Sequence, residues 1–403
     1  MELMRIFYST VEVYPPRRVD IVELFMKQLA NRGIETTWVM RRKHPGPCKK
    51  ERYENQFISL PFYIKGGKIA QIFNKLTYWT CDLLALAGCG HSRFDIIQVR
   101  DKYIAAIFGL VIAQLFGMQF VFWLSYPFPE HDREAAKLEI FPRNLIYLVR
   151  SALGYVVLYQ FIMRFSDHCF VQSEQMKRDI MAHGISAEKM TAVPMGVANE
   201  MLNKYDPDVT IEPGTVVYLG TLVRVRRLET LVHAMGQVIK LVPNARLLFV
   251  GDGDVPEDRT FLESEVKRLG LENVVEFTGF LPMQEAWKIV ETAAVCVSPF
   301  YPTPILRSTS PTKIIEYMAL GKPVVANDHP EQSQIIAESG AGLCVEWSEQ
   351  AFAKAIIQLL TNPEQAAEMG QRGPEWVRQH RTYDQIADQV YARYQAILLR
   401  KPK

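Results

Sequence analysis

The segment Ser310-Pro-Thr-Lys-Ile-Ile-Glu-Tyr-Met-Ala-Leu-Gly-Lys-Pro-Val-Val-Ala326 carries the strongest chemical signal in the chain. Ser310 suits an N-cap, Pro311 the first helical position and Gly321 a left-handed residue just past the end. The pattern predicts a short helix over Pro311–Leu320 that leads into a strand at Pro323–Ala326. The first amides of such a helix have no partner within it and lie at the positive end of its dipole. Thr312 and Lys313 therefore mark an anion site suited to a diphosphate. Glu316 falls one to two turns further in, where a carboxylate could accept hydrogen bonds from a sugar or ribose diol. An ordinary capped helix with a solvated glutamate fits the same spacing, and both readings stand at this point.

A second candidate is Gly220-Thr-Leu-Val-Arg-Val-Arg-Arg-Leu-Glu229, where Arg224, Arg226 and Arg227 follow a strand pattern. Guanidinium groups there could grip phosphate oxygens bidentately, although a charge run is more often a solvated face. The third, Gly251-Asp-Gly-Asp254, follows Leu247–Val250 like part of a dinucleotide fingerprint. Its third glycine position holds Pro256, which argues against a dehydrogenase. Asp252 and Asp254, like Asp206 and Asp208, are spaced as divalent-metal pairs, but such pairs are common in turns and the turn reading is preferred. No G-x-S-x-G, H-E-x-x-H or G-x-x-x-x-G-K-[ST] occurs, and His44, His91, His131 and His168 lack metal-ligand spacing.

These groups need a scaffold. Leu3–Ser9, the amphipathic stretch Val19–Asn31 and Glu35–Met40 have the strand–helix–strand spacing of a parallel sheet. Ile96–Val99, Phe120–Leu124 and His168–Gln172 continue it as apolar runs, as a sheet covered on both faces requires. After a polar stretch read as a linker, Tyr205–Gly214, a second series follows: Val216–Leu219, Ala245–Val250, Val274–Thr278, Ala294–Val297 and Pro323–Ala326. The expected fold is α/β: two doubly wound Rossmann-like domains, 1–205 and 206–380, facing a cleft. A terminal helix, 381–403, is long enough to pack back on the first domain.

Composition sets the bounds. The 403 residues are 48% hydrophobic and 22% charged with net charge +2, which excludes disordered, collagen-like and coiled-coil classes and gives no sign of nucleic acid. Basic charge is local: Arg41–Lys75 has nine basic residues against two acidic ones. The six cysteines lack C-x-x-C spacing and read as buried thiols in a reducing, cytoplasmic compartment. The opening residues lack a signal-peptide h-region, and the apolar stretch Tyr103–Leu124 reads as a buried helix, Tyr103–Phe116, running into a strand, Gln119–Leu124.

Taken in order, YLGTLVRVRRLETLVHAM, ARLLFVGDGD, VVEFTGFLP, AAVCVSPF, SPTKIIEYMALGKPVVA and GAGLCV resemble the donor domain of family 4 retaining glycosyltransferases of the GT-B fold. The resemblance covers about residues 211–350 and extends to the first half through Pro194–Val197. It implies a nucleotide-diphosphate sugar bound by the second domain and an acceptor by the first. Arg226 stands where the family has a lysine on the diphosphate, Phe280 and Leu281 where backbone groups contact the base, and Glu316 at the second glutamate of E-x7-E. Gly220, Thr221, Gly251, Thr312 and Lys313 complete the implied donor site, with Arg226 and Glu316 in catalytic roles. Ser308 replaces the first glutamate, Thr221 a common arginine, Tyr14-Pro-Pro-Arg-Arg18 a glycine-rich loop, and Ser125-Tyr126 a histidine region near the transferred sugar on the acceptor side. A non-catalytic nucleotide-sugar-binding protein and a sugar-nucleotide epimerase are the alternatives. No cofactor or metal is implied, because the nucleotide sugar is itself substrate.

Lys68–Leu83 places Ile69, Ile72, Phe73, Leu76 and Trp79 or Thr80 near one helical face beside Lys65, Lys68 and Lys75, and Arg143–Phe165 adds a long apolar stretch with three arginines. Such helices either pack on the sheet or lie at an anionic membrane. The second reading implies a peripheral enzyme at the inner face of the cytoplasmic membrane and a sugar or lipid-linked acceptor, as in polysaccharide or glycolipid assembly.

Overall fold

The computed structural model describes residues 3–54, 56–89, 94–138 and 142–399. It divides into two units, Met1–Pro194 with Tyr383–Lys403, and Met195–Thr382.

The first unit is built on β1 (Met4–Tyr14), β2 (Ile34–Arg42), β3 (Lys49–Tyr53), β4 (Gln56–Leu60), β5 (Ile96–Arg100), β6 (Gln119–Leu124), β7 (His168–Val171) and β8 (Met190–Ala192). Their order is β3-β4-β2-β1-β5-β6-β7-β8, parallel except for the β3–β4 pair. β1 is the divide: Ile6 pairs with Thr36 of β2 on one side and Ile96 of β5 on the other. The helices are α1 (Asp20–Leu29, wound as a π-helix), α2 (Lys68–Cys89), α3 (Tyr103–Phe116), α4 (Phe128–Leu138), the continuous α5 (Arg143–Phe165) and α6 (Glu174–Met181). β6 is buried along its whole length, so its apolar run has a neighbour on each face.

The second unit contains α7 (Asn199–Leu202), β9 (Glu212–Leu219), α8 (Glu229–Val238), β10 (Arg246–Val250), α9 (Pro256–Arg268), β11 (Val275–Gly279), α10 (Met283–Thr292), β12 (Ala293–Ser298), α11 (Pro304–Arg307), α12 (Thr312–Ala319), β13 (Val324–Asn327), α13 (Pro330–Ser339), β14 (Gly342–Val345), α14 (Glu349–Thr361) and α15 (Pro363–His380). Its six strands run β11-β10-β9-β12-β13-β14, all parallel. The chain then returns to the first unit as α16 (Tyr383–Leu398). Tyr383, Ile386, Val390 and Tyr394 enter the core around Phe25 and Trp123, and Tyr394 Oη donates to Gln98 Oε1 at 2.5 Å.

Several expectations need correction. Residues 195–205, assigned to the first domain, belong to the second. Met201 and Leu202 join the core around Tyr317, the Val197 amide donates to Arg381 O at 2.9 Å, and the Met195 amide donates to Ser310 Oγ. Arg381 and Thr382 likewise fall in the second unit, and the expected linker Tyr205–Gly214 already enters β9 at Glu212. The β3–β4 hairpin was not expected; β3 (KKERY) is a charged edge strand, as sheet edges often are. The six cysteines are free, but Cys48 and Cys344 are exposed instead of buried. On α2 the apolar stripe faces outward: Ile69 is 85% and Ile72 61% exposed, while Tyr78, Asp82, Leu86 and Cys89 form the buried face.

Candidate functional site

In an open parallel sheet the natural crevice lies beyond the carboxyl ends, where successive connections leave a strand on opposite sides. β9 is that strand here, with β10 on one flank and β12 on the other. Three glycines line the carboxyl ends: Gly220 after β9, Gly251 after β10 and Gly279 closing β11. Gly220 (φ +140°) and Gly251 (φ +142°) adopt conformations that side-chain-bearing residues rarely reach. A Cβ on Gly251 would overlap Gly220 O, so the two turns touch backbone to backbone. The Gly220 amide donates to Val250 O at 2.9 Å and that of Leu222 to Asp252 O at 2.9 Å, which locks both turns together.

Arg226 is held over this floor. Its Nη1 donates to Tyr218 Oη at 2.8 Å, and the Tyr218 hydroxyl donates to Thr221 O at 3.1 Å. Lys313, from the first turn of α12, reaches the same place. A Cβ on Gly220 would overlap Lys313 Cε and lie 3.0 Å from its Nζ and 3.3 Å from Arg226 Nη1. The lysine also lies over the rings of Tyr218 (5.3 Å) and Phe300 (5.7 Å). Arg226 and Lys313 thus both lie beside Gly220. Thr312, which opens α12, is at the same end.

The helix end itself departs from expectation in a useful way. Ser310 does not cap it: its hydroxyl donates to Glu331 Oε1 at 2.6 Å and accepts from the Met195 amide at 2.9 Å. Pro311 occupies the cap position and α12 has no side-chain cap, so its leading amides remain for a ligand. Tyr317 fixes the helix against β9, accepting the Leu219 amide at 2.7 Å.

Burial, reinforced by the Arg226 charge and opposed by Glu316, holds the Lys313 ammonium well below its usual range. Burial pushes the Glu316 carboxyl up to about 7, against the pull of Lys313. Two cations crowd one spot with one reluctant carboxylate to balance them, an arrangement that a polyanion would relieve.

Other expected residues are placed less directly. Phe280 follows Gly279 with 81% of its surface exposed, and Leu281 packs partly into the core. Ser308 is buried, with its hydroxyl donating to Pro304 O at 3.2 Å inside α11, so it offers no carboxylate substitute. Arg224 stacks 3.6 Å over Phe261, and Arg227 lies near Glu229, so neither joins Arg226 through a recorded contact. Asp252 Oδ1 accepts the Gly253 amide and Asp206 Oδ1 the Asp208 amide, both at 2.9 Å, which makes these D-x-D pairs turn-formers. Among the described residues no group of three potential ligands could hold a metal; His91 lies outside them.

In the first unit, Ser125 turns its amide (2.9 Å) and hydroxyl onto Asp101, and Tyr126 Oη contacts His131 Nδ1 at 3.0 Å. Neighbouring strand ends hold charges that sequence reading missed. Arg100 Nη2 donates to Asp20 Oδ2 at 2.7 Å, and Lys102 Nζ donates to Ser9 Oγ at 2.7 Å beside Asp82. Burial brings Lys102 down to about 8 despite Asp82. Arg100 and Lys102 belong to the charged run Arg100-Asp101-Lys102, but Asp20, Ser9 and Asp82, which they meet, lie far away in the sequence, so no local pattern announced these contacts. The same is true of Tyr218 and Tyr317.

The family described as Glycosyl transferases group 1 matches residues 206–376, and the Glycosyl transferase 4-like domain matches residues 20–196. The chain belongs to the group 1 glycosyltransferases. It is 22% identical over 284 residues to the alpha-monoglucosyldiacylglycerol synthase of Streptococcus pneumoniae, covering 66% of this chain and 59% of that one. The chain spans about half the length of the curated relatives it matches. Among solved structures, sucrose-phosphate synthase from Thermosynechococcus elongatus superposes with a TM-score of 0.73 at 20% identity, covering 98% of this chain and 99% of that one. The HepE protein of Anabaena, in complex with UDP-glucose, superposes at 0.67 and 15% identity, covering 98% and 100%. These likenesses establish the GT-B fold, with two parallel-sheet, Rossmann-like units.

Proposed function

We propose that this glycosyltransferase moves a sugar from a nucleotide-diphosphate donor to an acceptor hydroxyl, with retention at the anomeric carbon, in polysaccharide or glycolipid assembly. The observation that carries the donor reading is the meeting of Arg226, Lys313 and the uncapped end of α12 at the β9 crevice. Cleavage of the glycosyl–phosphate bond leaves negative charge on the diphosphate, and preorganised cations and amides stabilise charge where it develops. Those groups supply the compensation that a divalent metal gives in other transferases, so the reaction runs without one. Glu316, partly buried behind Lys313, would accept hydrogen bonds from the ribose or sugar hydroxyls. A bound diphosphate favours the charged form of Lys313, which burial and Arg226 otherwise oppose.

Retention follows the family resemblance. The glycolipid direction is supported by the name of the Streptococcus pneumoniae relative and by the outward apolar stripe of α2. α5 adds exposed Leu145, Ile146, Leu148, Val149 and Leu153, with Arg143 and Arg150 on the same helix. It is long and apolar enough to cross a membrane, but Leu158, Tyr159, Ile162 and Met163 are buried in the unit's core. The helix therefore lies on the protein, and the exposed side suits the inner face of the cytoplasmic membrane. Thermal-shift screening of nucleoside diphosphates tests the donor reading, because a ligand of the folded state raises its melting temperature. A panel in which none of them stabilises the protein refutes it.

A further inference from the structure

Beneath α2 the first unit contains a cavity of about 680 Å³, within the range of small-molecule sites. Thr77, Cys81, Ala85 and Gly88 recur every three or four residues along the helix side that lines the cavity, and none is large enough to reach the opposite wall. Phe7, Leu60, Phe62 and Phe94 form much of that wall. The polar atoms on the helix are already satisfied: Thr77 Oγ1 donates to Phe62 O at 2.8 Å and Thr80 Oγ1 to Leu76 O at 2.9 Å. The cavity thus offers a guest little hydrogen bonding and much apolar surface.

One rim is basic. Lys49 and Lys50, on the exposed edge strand β3, line the cavity. Lys49 pairs with Glu51 at 2.9 Å, whereas Lys50 makes no ion pair among the described residues. Leu84, 69% exposed, belongs both to the cavity lining and to the outer surface of α2, so the cavity continues into the apolar stripe.

We propose that this cavity receives the hydrocarbon chain of a phosphate-bearing membrane lipid, with Lys50, supported by Lys49, on the phosphate. The apolar lining suits an alkyl chain, the lysines complement the headgroup, and the neighbouring stripe places the opening at a bilayer. The inference rests on the lipid-surface reading above, and the two are separable by experiment.

Calorimetric titration of the full chain with dodecyl phosphate, below its micelle concentration, measures chain and headgroup together; inorganic phosphate and dodecanol measure them apart. Dodecyl phosphate is expected to bind at least tenfold more tightly than inorganic phosphate. Gly88→Leu and Ala85→Leu should each weaken it by tenfold or more, with the melting temperature maintained. A Cβ on Gly88 meets no atom within 4 Å, so that variant keeps the test alive if Ala85→Leu fails to fold. Lys50→Gln should weaken dodecyl phosphate several-fold and leave dodecanol unchanged. Unaltered dodecyl phosphate affinity in folded Gly88→Leu protein, or affinity no better than that of inorganic phosphate, overturns the proposal. Ile72→Glu with Leu76→Glu should abolish vesicle co-sedimentation while dodecyl phosphate still binds. Binding of dodecyl phosphate without any vesicle association by the parent protein would uphold the cavity and remove the lipid-surface reading.

Discussion

Replacing Arg226 with alanine should cost activity and not stability, and both halves of that statement follow from geometry. Arg226 Nη1 is occupied by Tyr218 Oη at 2.8 Å and faces Thr221 O at 3.4 Å, which leaves Nε and Nη2 to meet phosphate oxygens. Hydrogen bonds to charged groups contribute about 1.5–3 kcal/mol each. Losing two, in a transition state where the diphosphate gains charge, removes about 3–6 kcal/mol, a fall of roughly 10²–10⁴-fold in kcat/KM. The free protein should respond in the opposite sense. Lys313 Nζ and Arg226 Nη1 both lie close to Gly220, within about 6 Å of each other, where two unit charges repel by about 3 kcal/mol at an effective dielectric of 20. Both side chains are partly exposed and the Lys313 pKa is already lowered, so screening and the reduced lysine charge bring the benefit of removing one charge to about 1 kcal/mol or less. The melting temperature of the ligand-free variant should therefore hold steady or rise by about 2–4 °C. Arg226→Lys, with charge but no fork, should fall between parent and alanine in activity. The assay is release of nucleoside diphosphate from the donor that stabilises the parent most. An alanine variant with kcat/KM within about threefold of the parent would refute the assignment. Loss of activity accompanied by a large drop in melting temperature would make Arg226 a structural residue.

Glu316→Gln should raise the donor KM about tenfold, as expected when one hydrogen bond to a charged acceptor is weakened. Because the folded pKa of Glu316 is raised to about 7, its contribution is fully present below the unfolded value near 4.5 and is lost as pH rises through 7. Urea unfolding should show Glu316→Gln more stable than the parent at pH 8 and no more stable at pH 4. His233, between Glu349 Oε1 (2.5 Å) and Glu265 Oε2 (3.1 Å), is pulled down by burial, but those hydrogen bonds win and its pKa is raised. Its stabilisation is present below the unfolded value near 6.5 and fades as pH rises through the folded one, so His233→Ala should flatten that loss in the same unfolding series. Gly251→Ala forces a Cβ into Gly220 O at positive φ and should cost about 3 kcal/mol or more, visible as a lowered denaturation midpoint or insoluble protein. Transfer should proceed unchanged with a chelator present, and activity restored only by adding a divalent ion would contradict the metal-free reading.

The second unit was readable from sequence where function depends on backbone, and opaque where it depends on distant side chains. Strands at 216–219, 245–250 and 294–297 announced themselves as apolar runs between helices, and the structure places them within a few residues of those limits. The Gly220 and Gly251 turns and the start of α12 were visible because each needs particular residue types at neighbouring positions. Tyr218, which aims Arg226, and Tyr317, which ties α12 to β9, look like ordinary core residues in their own segments. The first unit hides its charge pairs more thoroughly: Asp20 opens α1 and Arg100 ends β5, 80 residues apart, while Lys102 meets Ser9 of β1 and Asp82 of α2, and only the fold brings these partners together. Ser310 is the instructive error. Local rules made it a cap, but Glu331, 21 residues onward, and the Met195 amide claim its hydroxyl. A serine bonded to the leading amides of α12 would have competed with a diphosphate for the same donors. Drawing that hydroxyl into the core leaves the amides for the ligand, so the local misreading and the functional site have one physical cause.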